Sequence, residues 1–160
     1  MSERSYPACL RELYESEILG ERVFQLFVDH ARSPREAYHL GSLLQLETET
    51  KARLRPLLAH YGIAMAEAMD LSAFDQIAEL FNAVTWEEFM VANVATVEEF
   101  IGTFEAIVAL GPDSDRDILQ SMVTHERAIL RWLKMEQTGD RLGSLDDVVA
   151  QLVFPLDPVA

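Results

Sequence analysis

The sequence predicts an all-α protein, a bundle of long helices, and three observations predict it. No run of alternating Val, Ile and Thr and no Asn-Gly or Asp-Gly hairpin dipeptide occurs in the 160 residues. Apolar residues instead recur at steps of three and four along several long stretches. The ends of these stretches carry helix punctuation, with Ser or Thr caps, prolines in first turns and glycines just past the last turn.

The first helix is expected over about residues 7–31. Pro7 suits its first turn, and Leu10, Leu13, Tyr14, Ile18, Phe24, Phe27 and Val28 form its apolar stripe. Ser33-Pro34-Arg35-Glu36 reads as a capping box that opens a second helix, 34–61, stopped by Gly62 and bent by Pro56. From Ile63 to Val84 the pattern weakens and reads as a crossover, with a break at Asp70-Leu71-Ser72 before a short helix over Phe74 to Phe81. Thr85-Trp86-Glu87-Glu88 is a second capping box and starts a helix over 86–110, ended by Gly111-Pro112. Ser114 or Asp113 is expected to cap the last long helix, 114–138, closed by Gly139. A short capped helix after Ser144 and an extended strap at Phe154-Pro155-Leu156-Asp157-Pro158 complete the chain. Helices of about 25 residues are about 37 Å long at 1.5 Å per residue, which asks for side-by-side packing. Two short links and one long crossover make an up-down bundle with a single long return, one domain over 1–160.

Composition narrows the function. Thirteen basic and 27 acidic residues give a formal charge of −14, which disfavours nucleic acid and anionic lipid surfaces. No apolar run approaches the ~20 residues of a membrane span. The residues from Met1 to Pro7 hold no apolar leader, and Cys9 is the single cysteine, so a cytoplasmic, reducing compartment is the expectation. A homodimer is expected for a bundle of this size. Phosphate-cradling glycine loops, Gly-x-Ser-x-Gly, Cys-x-x-Cys and His-Glu-x-x-His motifs do not occur.

The informative residues are acidic ones at apolar positions. Projected at 3.6 residues per turn, Glu17 and Glu21 fall within the stripe of the first helix. Glu47 falls amid Leu40, Leu43, Leu44, Leu54 and Leu58, with Glu49 facing away. Glu126 falls amid Ile118, Met122, Ile129 and Leu133, with His125 toward the edge of that stripe. On the third long helix Glu98 and Glu105 lie at the margin of a Phe-rich face and Glu99 lies nearer solvent. A carboxylate buried without a partner costs several kcal/mol or takes up a proton, so converging Glu side chains require protons, cationic side chains or a metal.

With these four acidic positions and a long middle crossover, the chain resembles the ferritin-like superfamily of rubrerythrins, ferritin-related oxidases and diiron hydroxylases. The resemblance covers about Arg11 to Gly139. It implies a ferritin-like four-helix bundle whose metal ligands are Glu17, Glu47, Glu98 (or Glu99) and Glu126, with His125 and Glu21 as secondary candidates. Where the family places its two histidines this chain has Thr50 and Ile129, so the site keeps its carboxylates and loses both imidazoles. Taking His125 as the family histidine would put Met122 in the place of its Glu. A carboxylate-rich, His-poor set favours hard ions, one or two of iron or manganese. The implied activity is a metal-dependent oxidoreductase acting on a small molecule or on the metal ion itself.

A metal-free reading stands beside it. Lys51, four residues after Glu47, would replace the metal charge through a Glu47–Lys51 pair, leaving a non-enzymatic scaffold or interaction protein. Glu21 would then hydrogen-bond Tyr14 or another helix. His30, His39 and His60 read as solvent-facing or capping groups, Arg53 and Arg55 as a solvated face, and the Phe and Met residues as core.

Overall fold

A computed structural model describes residues 5–139 and 141–158. Residues 1–4, part of the stretch expected to hold no apolar leader, lie outside the described residues. Among the described residues there is no strand, and the helices are α1 (Tyr6–Asp29), α2 (Pro34–His60), α3 (Phe74–Ala83), α4 (Trp86–Leu110), α5 (Arg116–Thr138) and α6 (Asp146–Val149). None is long and apolar enough to cross a membrane.

Most boundaries follow from the caps. Ser33 Oγ accepts the Glu36 N–H at 3.1 Å, although the Glu36 carboxylate turns to the Arg32 N–H in place of closing a full box. Thr85 and Glu88 form the reciprocal box. Gly139 takes φ 76°, the left-handed conformation that ends α5. Two expected caps do not form. A 3₁₀ turn, Asp113–Asp115, precedes α5, so Asp115 and neither Ser114 nor Asp113 stands at its N-cap, and the Asp115 carboxylate accepts the Tyr6 and Tyr61 hydroxyls, each at 2.9 Å, without capping the helix. Ser144 likewise donates to the buried Glu136 at 2.5 Å and does not cap α6.

These contacts fix the chain directions. Tyr6, Tyr61 and Asp115 place the start of α1, the end of α2 and the start of α5 at one end of the bundle. Arg32 Nη1 donates to the Val84 carbonyl at 2.6 Å, so α4 starts at the opposite end, beside the α1–α2 link. The crossover therefore carries the chain back along the bundle, and α2 and α4 run in the same direction. The hairpins α1/α2 and α4/α5 pack most closely, and they meet through α1 with α4 and α2 with α5. The tail is a strap on the bundle: the Glu49 carboxylate accepts the Val153 and Phe154 N–H groups at 2.6 and 2.9 Å.

The apolar core is split in two. One half holds Leu43, Phe81, Trp86, Phe89 and Trp132, and the other Leu10, Leu13, Leu54, Phe104 and Leu119. A layer of buried polar side chains separates them.

Candidate metal centre

Glu17 from α1, Glu47 from α2 and His125 and Glu126 from α5 meet in that layer, each at most 6% exposed. His125 stands between two carboxylates. Its Nε2 lies 3.3 Å from Glu47 Oε1 and its Nδ1 3.4 Å from Glu17 Oε2. The Glu47 contact is a hydrogen bond through Nε2 and leaves Nδ1 facing Glu17. Glu17 Oε2 and His125 Nδ1 are buried and have no hydrogen-bond partner. One ligand atom each from Glu17, His125 and Glu126 lies within 4.8 Å of the others.

Gly20 makes room for this layer. Gly in a helix interior costs about 1 kcal/mol relative to Ala, so it calls for a packing reason. Here a Cβ would collide with the Glu47 carboxylate, which lies directly against the α1 backbone.

Electrostatics set the protonation of the cluster. Burial pushes the Glu17 carboxyl well above its usual range; His125 opposes this, and the charges of Glu47 and Glu126 reinforce it. Burial also raises Glu126, to about 7, against the pull of His125. For His125 burial works toward the neutral ring, but Glu17 and Glu47 overcome it and hold the imidazole up at about 10. Without a metal the cluster thus keeps protons that an isolated His or Glu would release.

Several sequence expectations are corrected here. Glu98 is not in the core: its side chain is 51% exposed and pairs with Lys134 at 2.8 Å. Glu99 is exposed too, and the exposed Glu105 pairs with Arg127. The inner face of α4 is wholly taken by Phe89, Met90, Val97, Phe104 and Ile107, so these acids are left on the outer arc. Glu21 accepts Thr48 Oγ1 at 2.7 Å and Lys51 Nζ at 2.5 Å, which occupies both of its oxygens outside the cluster. Lys51 does not pair with Glu47. It bridges Glu21 and Glu67, because the crossover lays Glu67 over the same spot, where Tyr14 and Arg55 also reach it. The Lys51 hydrogen bond and those from Tyr14 and Arg55 hold Glu67 down at about 2. Arg55 is therefore partnered, though 45% exposed.

His125 is central, not marginal. The buried arc of α5 is centred on Leu119, Met122, Val123 and Glu126, broader than the stripe through Ile118. Met122, His125, Ile129, Trp132 and Glu136 follow at steps of three and four, a pattern that was available in the sequence. His39, expected at a solvent-facing or capping position, is buried and accepts the Trp132 Nε1–H at 2.9 Å. Sequence reasoning missed Glu136 beside it, which is fully buried and accepts Arg35 (2.6 Å), Trp86 Nε1 (2.9 Å) and Ser144. Thr50 is buried and spends its hydroxyl on the Leu46 carbonyl at 2.8 Å.

Compared with protein-family models, curated proteins and solved structures, the chain matches none.

Proposed function

We propose that the protein is a ferritin-like metalloprotein that holds a divalent transition-metal ion, iron or manganese, through Glu17, His125 and Glu126. The observation that carries this reading is the pair of unpartnered buried atoms, Glu17 Oε2 and His125 Nδ1, 3.4 Å apart. The two atoms are within ion-pair distance but make no hydrogen bond, and their spacing is the edge expected between two ligand atoms that each lie about 2.1 Å from one ion. One imidazole and a set of carboxylates suit iron or manganese better than softer sites do. The chain directions and the single long crossover support the ferritin-like reading as well.

When bound, such an ion supplies redox chemistry toward dioxygen or peroxide, the basis for reading the protein as an oxidoreductase. The chain's own residues do the rest. Glu47 accepts the Nε2–H of His125 and so keeps Nδ1 turned toward Glu17, the arrangement by which a carboxylate orients and strengthens an imidazole ligand. Glu17 and His125 release protons as the ion enters, since only their deprotonated atoms can ligate it. The two halves of the apolar core shut water out from above and below.

A metal-free scaffold is the competing reading, now with the His125 cation in the part first given to Lys51. Elemental analysis of protein purified without chelator, followed by Fe(II) or Mn(II) titration, separates the two. One ion per chain, lost in both His125→Ala and Glu126→Ala, is expected. Folded protein that takes up no metal at micromolar concentrations overturns the metal reading in favour of the scaffold.

A further inference from the structure

Beside the acidic layer, on the side where α1 meets α4, lies a cavity of about 210 Å³. Glu47 and Glu126 form its floor, while Glu17 and His125 do not line it. Its walls are mostly apolar, with Phe24 and Phe27 from α1, Phe89 and Phe100 from α4 and Trp132 from α5, and the neutral polar side chains of Ser16, Asn93 and Thr96 complete them. No Lys, Arg or His lines it. Gly20 lines the cavity too, and the absence of a side chain there lets the Glu47 carboxylate lie against the α1 backbone at the cavity edge.

We infer that this cavity binds a small uncharged apolar molecule the size of one substituted aromatic ring and presents it to the Glu47–Glu126 edge of the acidic layer. The inference rests on the metal reading above for what happens to that molecule, and on the cavity alone for its binding. Size sets the upper bound. A dry apolar cavity of about 150 Å³ accepts benzene, so 210 Å³ accommodates one ring with a short substituent and excludes a fused tricycle. Charge sets the class. An anionic substrate would meet two carboxylates and no cation, leaving its own charge buried and unpaired. An organic cation would compete with the ion and with His125, which already balance the same carboxylates. Neutral apolar ligands gain the burial of their own surface and edge-to-face contacts with the Phe walls.

The experiment is calorimetric titration of the full chain with toluene, benzoate and benzylammonium, in chelator-treated and in Co(II)-loaded protein. Toluene is expected to bind one per chain in both forms, with benzoate and benzylammonium at least tenfold weaker. Toluene is also expected to shift the visible absorption of bound Co(II), which reads its closeness to the ion. Val97→Phe and the milder Val23→Phe, both on the cavity wall, should weaken toluene at least tenfold and leave metal stoichiometry unchanged. Toluene that fails to bind folded chelator-treated protein, or a charged ring that binds as well as toluene, overturns the inference. Toluene binding in a protein that takes up no cobalt overturns the metal reading instead.

Discussion

Two buried polar clusters share α5, ten residues or about 15 Å apart, and they solve the same problem in opposite ways. At Glu136 the carboxylate meets a guanidinium, an indole N–H and a hydroxyl, and every partner is within hydrogen-bonding distance. At Glu17 and His125 two equally buried polar atoms face each other at ion-pair distance with no hydrogen bond. The protonation follows the chemistry. Despite its burial, the bonds from Arg35, Ser144 and Trp86 hold Glu136 below the usual carboxylate range, whereas burial wins at Glu17 and Glu126 and pushes both up. A completed network stabilises the fold; an uncompleted one of the same depth is the mark of a site that something else completes.

The largest test of that contrast is to remove one acid from each cluster. Glu136→Ala strands the Trp86 N–H and the Arg35 charge, so urea denaturation should show a loss of about 3–4 kcal/mol. Glu126→Gln removes a carboxylate that burial already disfavours. The metal-free protein should then be as stable as the parent or more so at pH 8, while metal affinity falls by at least tenfold. If both variants lose similar stability, the two clusters are structural alike and the contrast fails.

The pH dependence separates them next, and the signs are opposite. His125, raised to about 10, adds stability that is complete below its unfolded value near 6.5 and is lost as pH rises toward 10. Glu126, raised to about 7, adds stability that fades as pH rises from about 4.5 to 7. His39 is lowered to about 4 by burial and by Arg35, so its contribution is present above pH 6.5 and is lost as pH falls toward 4. Chelator-treated protein should thus lose stability as pH rises from neutrality toward 10, while on the acid side the loss at His39 opposes the gain at Glu126. His39→Gln should leave the acid-side gain unopposed and the alkaline limb unchanged; His125→Gln should flatten the alkaline limb and leave the acid side unchanged.

A subtler pair concerns glycine. Gly20→Ala drives a methyl group into the Glu47 carboxylate and should lower metal affinity several-fold, because His125 loses its orienting partner. Gly102, on the outer arc of α4, has open space at its Cβ position, so Gly102→Ala should raise stability by about 0.5–1 kcal/mol without touching metal binding.

Much of the fold was legible because it is local. Thr85-Trp86-Glu87-Glu88 and Gly139 mark their helix ends through contacts within four residues, and the periodicity that surrounds Glu17, Glu47 and Glu126 placed all three in the core. What was illegible depends on distance in the chain. Glu67 takes Lys51 from Glu47 only because a 25-residue crossover folds back over α2, and no spacing rule encodes that. His39 of α2 accepts from Trp132 of α5, and Glu136 of α5 accepts from Arg35 of α2, so the partner that satisfies each comes from the other helix and no single-helix projection supplies it. His125 is different: it stands three residues after Met122 and four before Ile129, both in the stripe read from the sequence, and the buried arc is wide enough to take in that stripe's edge.

The smallest expected effect bears on the same comparison from outside the core. Glu98 was the candidate ligand on α4, and Lys134 meets it where both side chains are about half exposed. An exposed pair of this kind contributes about 0.2–1 kcal/mol, so Glu98→Gln should change stability by no more than that, and less at high salt. Metal stoichiometry and affinity should be unchanged, because water and Lys134 already satisfy the carboxylate and the Phe89–Phe104 face separates it from the acidic layer. A tenfold loss of metal affinity in Glu98→Gln would mean that α4 rotates its outer arc inward when the ion binds, and the ligand set would then extend to a fourth helix.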